Sequence, residues 1–372
     1  MLNILYDNQI FNLQKYGGIS RYFSELMSRL NSDSDFSITP KNYCSNNVYL
    51  KTNQLTSYNE FNNFPAFRGK KRIENFIVNH ESEKIKMFLE KGKFDVFHPT
   101  YYNSSFLKNL SGNKPFVLTV HDMIHELYYD KQLETLHPET INKSILIPKA
   151  NHIIAISETT KKDILHFYPD IDEKKISVIY HGNSLGLFKS QSKRSVEKKY
   201  ILYVGGRKHY KNFMWMLKAI APLLVQKNIL LICAGGGYFD DYEQQNIDQF
   251  RLNKYVKHIE IDSDLVLQNL YEHAQFFIYP SQYEGFGIPI LESFACKCPA
   301  LLSDASCFPE IAGNAGLFFK SGNDEDLLTQ INVLLENNQL RNDLIEKGIT
   351  RLRDFSWEKT VNEHKVVYSS FL

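Results

Sequence analysis

The sequence predicts an α/β protein built from two parallel-sheet domains, and three observations lead there. A chain of 372 residues is longer than one ordinary core supports and suits two. Short apolar runs alternate with helix-period patterns along its whole length, the way βαβ units are written in sequence. Between two series of such runs lies Phe188-Lys-Ser-Gln-Ser-Lys-Arg-Ser-Val-Glu-Lys-Lys199, polar, charged and aperiodic, with the composition of an interdomain linker. The expected domains are 1–187, completed by a C-terminal helix at 356–372, and 188–355.

Taken in order, the first series offers strands at Asn3–Tyr6, Phe36–Thr39, Val96–Phe97, Phe116–Val120, His152–Ile156 and Ile176–Tyr180. The second offers Ile201–Val204, Ile229–Ala234, His258–Ile261, Phe276–Tyr279, Ala300–Leu302 and Leu317–Phe319. A first helix is written as one apolar stripe of Ile19, Tyr22, Phe23, Leu26, Met27 and Leu30. The last segment opens with Ser356 as a cap and sets Trp357, Val361, His364, Tyr368 and Phe371 on one face. No strand follows it, so it is free to return to the first domain.

Bulk composition excludes several classes. Lys plus Arg number 43 against 42 for Asp plus Glu, so no overall field recruits nucleic acid. Aromatic residues reach 13%, which suits stacking on sugar faces as well as core packing. Five cysteines without a CxxC pair give neither a disulfide framework nor a zinc ribbon. Cys296, Cys298 and Cys307 are expected to be buried structural thiols. Without a basic start, an apolar leader or an 18-residue apolar window, the chain is expected in the cytoplasm. The sequons at Asn103, Asn109 and Asn142 are then not glycosylated.

The most informative stretch is Tyr279-Pro-Ser-Gln-Tyr-Glu-Gly-Phe-Gly-Ile-Pro-Ile-Leu-Glu-Ser293. A strand gives way to a glycine-containing loop, and Pro289 stands where a helix begins. Free N–H groups at that helix start favour anions and hydroxyl oxygens, and Gly285 and Gly287 let a ligand approach the main chain. Glu284 and Glu292 flank the loop with seven residues between them, Glu292 being placed to accept from a vicinal diol. A second run, Tyr203-Val-Gly-Gly-Arg-Lys-His-Tyr-Lys-Asn-Phe213, carries cations off a strand's carboxyl end just before a helix, which suits a diphosphate. In the first half, Tyr16-Gly17-Gly18-Ile19 is a phosphate-facing turn or a plain tight one. His121-Asp122 ends the strand 116–120, where α/β ligands bind. His121 and His125 have the i, i+4 spacing of a metal pair but lack the HExxH glutamate, so no metal is expected there. The triplets Asp33/Asp35, Asp170/Asp172 and Asp262/Asp264 sit in turns or at a helix start, where Asp is expected without a metal.

The string around Glu284 and Glu292 resembles the E-x7-E signature of the retaining family-4 glycosyltransferases of the GT-B fold, with the Gly-Phe-Gly-x-Pro core intact. That resemblance implies two Rossmann-like domains facing each other across a cleft, the first for the acceptor and the second for a nucleotide-sugar donor. Glu292 would hold the donor ribose. Glu284 and the amides around Gly285, Phe286, Gly287 and Ile288 would hold the donor sugar. Gly206, Arg207 and Lys211 would grip the diphosphate, with Gly17 and Gly18 opposite and His121 beside the transferring hexose. His121, Glu284, Arg207 and Lys211 are thus the expected catalytic set, and Ser157-Glu158 resembles a supporting element of the family. No cofactor or metal is implied beyond the nucleotide-sugar co-substrate.

The Tyr-Lys-Asn-Phe ending resembles bacterial mannosyltransferases of polysaccharide synthesis that use GDP-mannose. The acceptor would be a glycan or a lipid-linked saccharide. Phe61-Asn-Asn-Phe-Pro-Ala-Phe-Arg-Gly-Lys-Lys-Arg72 joins three phenylalanines to a basic cluster, which suits an anionic membrane surface or a solvated loop capping the core. Two rival functions share the fold: a nucleotide-sugar epimerase that needs no acceptor, and a non-catalytic subunit binding nucleotide or glycan.

Overall fold

The computed structural model describes residues 1–41, 43, 45–56, 70–128, 137–185, 194–207 and 209–372, with backbone alone for 70, 71 and 73–79. The chain divides into two compact units, Met1–His181 with Trp357–Leu372, and Gly182–Ser356. The terminal helix therefore belongs to unit 1. The division falls six residues before the expected 187/188 boundary, which lies outside the described residues, as does the linker up to 193.

Unit 1 contains β1 (Leu2–Tyr6), α1 (Gln9–Leu13), α2 (Gly18–Asn31), β2 (Phe36–Thr39), α3 (Val48–Thr52), α4 (Lys70–Lys91), β3 (Val96–His98), β4 (Val117–Val120), α5 (Ile124–Leu127), α6 (Pro138–Lys149), β5 (His152–Ala155), α7 (Glu158–Phe167) and β6 (Ile176–Val178). Two parallel three-stranded sheets, β2-β1-β3 and β4-β5-β6, are joined by one parallel bridge between Phe97 and Phe116. Along β1, Leu2, Ile4 and Tyr6 enter one core cluster and Leu5 the other, because successive side chains leave a strand on opposite faces. The first cluster takes the α2 stripe, with Tyr22, Phe23, Leu26, Met27 and Leu30 fully buried and Ile19 partly so. Burying each such side chain contributes about 1.5–3 kcal/mol. The helix after the first strand is not immediate, however: α1 intervenes before the Gly17–Gly18 turn.

Unit 2 contains β7 (Tyr200–Val204), α8 (Phe213–Gln226), β8 (Leu230–Ala234), α9 (Asp241–Gln249), β9 (Val256–Ile259), α10 (Asp264–His273), β10 (Phe277–Tyr279), α11 (Ile288–Ala295), β11 (Ala300–Ser303), α12 (Phe308–Ala312), β12 (Gly316–Phe319), α13 (Asp324–Glu336) and α14 (Asn338–Arg351). One sheet of order β12-β11-β10-β7-β8-β9 runs parallel throughout. Every residue of β7 and β8 is buried, as expected of strands covered on both faces. The edge strand β9 begins two residues before its expected start, since exposed Lys257 interrupts the apolar run without interrupting the pairing of Val256–Ile259 with Leu231–Ala234. Helix α15 (Trp357–Ser369) returns the chain to unit 1, burying Trp357, Val361, His364, Val367 and Tyr368. Among the described residues no helix is long and apolar enough to cross a membrane.

Candidate functional site

The strand order of unit 2 reverses between β7 and β10, and in such sheets the loops leaving the carboxyl ends on either side of the reversal open a crevice for ligands. Both motifs singled out from the sequence leave the sheet there. After β7 come Gly205, Gly206 and Arg207, a single tight turn at His209–Lys211, then α8. After β10 comes the Glu284 loop, then α11.

The two loops are tied together. Lys211 Nζ lies 2.5 and 2.7 Å from the two Glu284 carboxylate oxygens, and the Gln282 N–H donates to the Tyr210 carbonyl at 2.8 Å. Glu284 is held in turn by Ser306, whose Oγ accepts the Glu284 N–H at 3.1 Å and donates to its carbonyl at 2.7 Å. Lys211 also stands over the rings of Tyr210 and Tyr279. Burial pushes the Tyr279 phenol far above its usual pKa, and the neighbouring Glu284 charge pushes it further.

Gly287 begins α11 with a φ of 86°, a left-handed conformation natural to glycine. A Cβ there would also lie 3.1 Å from atoms of Ile290 and Phe308. Gly285 and Phe286 are buried beside it, Phe286 against Phe355, and Ile288 and Pro289 form the first turn. Glu292 is 8% exposed, and Tyr271 donates to its Oε2 at 3.2 Å. Glu284, in the loop, and Glu292, within α11, are thus held by different partners.

Arg207 is paired within the chain. It is not a free cation in this structure. Its guanidinium is buried, pairs with both oxygens of Glu243 at 2.9 and 3.1 Å, and donates to the carbonyls of Gly235, Gly237 and Tyr238. The reason is the loop after β8, where Gly235, Gly236 and Gly237 all have positive φ and the carbonyls of Gly235 and Gly237 face Arg207. A Cβ on Gly236 would sit 2.4 Å from the Gly205 carbonyl, so the β7 and β8 loops touch through glycine. At Gly205 and Gly206, by contrast, a Cβ meets nothing within 4 Å. Sequence reading missed both the triple glycine and Glu243. The signals were present: three glycines directly after a strand, and Asp240-x-x-Glu243, which forms a capping box on α9. Lys208 lies outside the described residues.

In unit 1, His121 follows β4, 5% exposed, among the rings of Tyr22, Phe23 and His181. Its backbone N–H donates to Tyr102 Oη at 2.8 Å. Burial, then His181 and Lys143, hold its pKa well below the ordinary imidazole value, so the ring is neutral at pH 7. Beneath it lies a buried ion pair: Lys143 Nζ donates to Glu126 at 2.8 Å and to the Asp122 carbonyl at 3.0 Å. Gly17 caps α2 in an extended conformation, and Gln14 Oε1 accepts the Ser20 N–H of the first turn at 3.1 Å. That N–H is thus satisfied by the chain itself.

A network unseen in the sequence crosses this core. His98 joins Tyr368 Oη at 2.6 Å and Thr119 Oγ1 at 2.8 Å, Tyr368 meets Tyr6, and Tyr22 Oη lies 2.6 Å from His364 Nε2.

The remaining expectations separate cleanly. Ser157 caps α7 through the Thr160 N–H at 3.0 Å. His125 stacks on His137. Asp33 pairs with Lys365, Asp172 caps the turn at Glu173–Lys175, and Ser263 caps the helix that Asp264 begins. Cys233, Cys296, Cys298 and Cys307 are all buried and unpaired in disulfides. Of Phe61–Arg72, residues 61–69 and the side chains of Lys70 and Lys71 lie outside the described residues, while Arg72 is exposed.

Two family models divide the chain between them: Glycosyltransferase Family 4 matches residues 16–185 and Glycosyl transferases group 1 matches 186–351. O-antigen chain mannosyltransferase B of Escherichia coli is 31% identical over 175 residues, 45% of this chain and 46% of that protein. O-antigen chain mannosyltransferase RfbU of Salmonella typhimurium is 28% identical over 234 residues, 63% of each. The similarity thus spans less than two thirds of either mannosyltransferase. Among solved structures, HepE of Anabaena in complex with UDP-glucose superposes over the full length of both chains with a TM-score of 0.75 at 15% identity, a likeness of fold. With its two halves matched from residue 16 to residue 351 and each built on parallel α/β sheets, the chain belongs to the family-4 glycosyltransferases of the GT-B fold.

Proposed function

We propose that the chain transfers a hexose, mannose from GDP-mannose, with retention of configuration, onto a glycan or lipid-linked saccharide in cell-surface polysaccharide synthesis. The observation that carries this is the Lys211–Glu284 pair at the strand reversal of unit 2, beside a glycine-started helix bearing Glu292. In a transferase each has a partner waiting: the donor diphosphate for Lys211, the donor sugar hydroxyls for Glu284.

Glu292 takes the donor ribose, and the amides at the start of α11 take sugar oxygens. Gly206, with room for a side chain it does not carry, lets the diphosphate approach the main chain. Arg207 acts chiefly by fixing the β8 loop through Glu243, with Lys211 supplying the mobile charge. Neutral His121 positions the hexose by hydrogen bonding. The acceptor oxygen attacks C1 on the face from which the diphosphate leaves, and its proton passes to a departing phosphate oxygen. No metal takes part in this reading, since side-chain cations and backbone N–H groups meet the leaving charge. The mannose preference rests on the similarity to the two O-antigen mannosyltransferases.

Thermal unfolding of unit 2 with GDP-, UDP- and dTDP-sugars tests the donor reading. A ligand at a hundred times its dissociation constant adds about 2.7 kcal/mol. GDP-mannose should raise the midpoint most, and a flat response to every nucleotide sugar would refute the proposal.

A further inference from the structure

Unit 1 holds a second cluster of chemistry-bearing side chains that sugar transfer does not use. His125 on α5, His137 capping α6 and Glu139 in the first turn of α6 each offer one ligand atom, and these atoms lie within 4.8 Å of one another. The two imidazoles stack face to face, centroids 3.6 Å apart and planes 6° apart. His125 Nε2 lies 3.4 Å from Glu139 Oε2. The other Glu139 oxygen accepts from Tyr101 Oη at 2.6 Å, which fixes the carboxylate's orientation as an outer partner of a metal ligand does.

We propose that His125, His137 and Glu139 form a binding site for a divalent transition cation of the zinc class, separate from the transfer chemistry. Two imidazoles and a carboxylate select such a cation over magnesium or calcium, which prefer oxygen alone. Metal–nitrogen and metal–oxygen distances near 2.1 Å put tetrahedral ligand atoms about 3.4 Å apart. His137 is exposed and His125 and Glu139 are partly so, so side-chain rotation closes the remaining distance and the cation can enter from solvent. One nitrogen of each imidazole and one carboxylate oxygen lie within 4.8 Å of one another; turning the rings out of their stack aims the in-plane lone pairs at one cation, and three ligands leave a position for water. The site ties α5 to the start of α6. Because α5 begins two residues after Asp122, a bound cation would steady the backbone that carries His121 and Asp122 without touching a substrate.

The test uses the full chain, without any histidine tag, stripped by chelator. Zinc affinity is measured by competition with a chromophoric chelator, and coordination by the visible spectrum of the cobalt form. One equivalent should bind, with the intense cobalt bands of a four- or five-coordinate site. Tyr101→Phe should weaken zinc binding by about 10–100-fold, and His137→Ala and Glu139→Gln by at least as much, while GDP binding by unit 2 stays unchanged in every variant. Equal zinc affinity in wild type and His137→Ala would overturn the proposal, as would a cobalt spectrum of octahedral water-like character. Neither outcome depends on whether the chain transfers mannose.

Discussion

Acidification should unfold unit 1 through its buried histidines. His364 is fully buried, its Nδ1–H donating to the Thr360 carbonyl at 2.7 Å, and burial lowers its pKa to about 4. His181, 3% exposed, is lowered by burial and then by His364 to about 3. A histidine whose folded pKa lies below its unfolded value binds protons more readily when unfolded, so its contribution to stability is present above the unfolded value and is lost as pH falls toward the folded one. With unfolded histidine at about 6.5, going from about pH 7.5 to about pH 5 costs about 2 kcal/mol per group, or about 4 kcal/mol for the pair. That is a large part of an ordinary domain's 5–15 kcal/mol. His98 and His121, also lowered by burial, add in the same direction. Asp7 acts oppositely, since burial raises its pKa. Each unit carries one tryptophan, Trp215 in unit 2 and Trp357 in unit 1. Urea titrations of a Trp215→Phe variant, followed by Trp357 fluorescence across this pH range, therefore report unit 1 by itself. His364→Gln should remove about one proton from the pH dependence. A midpoint that does not move with pH, or an undiminished slope in His364→Gln, would refute the reasoning.

Four other substitutions probe the site and its supports. Glu292→Gln should weaken nucleotide binding by about 1.5–3 kcal/mol through loss of a charged acceptor, read by calorimetry; unchanged affinity in a folded variant would remove Glu292 from the ribose site. Gly236→Ala should destabilise unit 2 by more than about 1 kcal/mol because its Cβ meets the Gly205 carbonyl and φ is positive. Gly206→Ala should leave stability within about 0.5 kcal/mol yet reduce donor affinity, and the reverse ranking in denaturant titrations would contradict the packing. Glu126→Gln leaves the fully buried Lys143 ammonium without its carboxylate and should cost about 3–5 kcal/mol. Replacing both by apolar residues should recover much of that loss, and a single variant as stable as wild type would show the pair to be unimportant.

The strands were legible because parallel strands covered on both faces are written as unbroken apolar runs, as in β7 and β8. Where that condition fails, the pattern misleads: the edge strand β9 carries exposed Lys257 and begins two residues before its apolar run suggests. Helix α1 has five residues, too few for a helical period to register. The Glu284 loop was legible because its glycines, proline and carboxylates lie within one short stretch. Arg207 was legible as a cation but not as a paired one, since Glu243 lies 36 residues away in the first turn of α9. The His98–Tyr368–Tyr6 network joins residues as far as 362 positions apart, a relation that only folding creates.

The central claim is best tested by incubating the chain with α-configured GDP-mannose, with and without a saccharide acceptor and in the presence of EDTA, and following C1 by NMR. The account predicts consumption of donor only when acceptor is present, insensitivity to chelator, a new α-linkage in the product, and abolition of transfer in Glu284→Ala with GDP binding nearly intact. A β-linked product, free mannose-derived sugar formed without acceptor, or activity restored only by magnesium or manganese would contradict it.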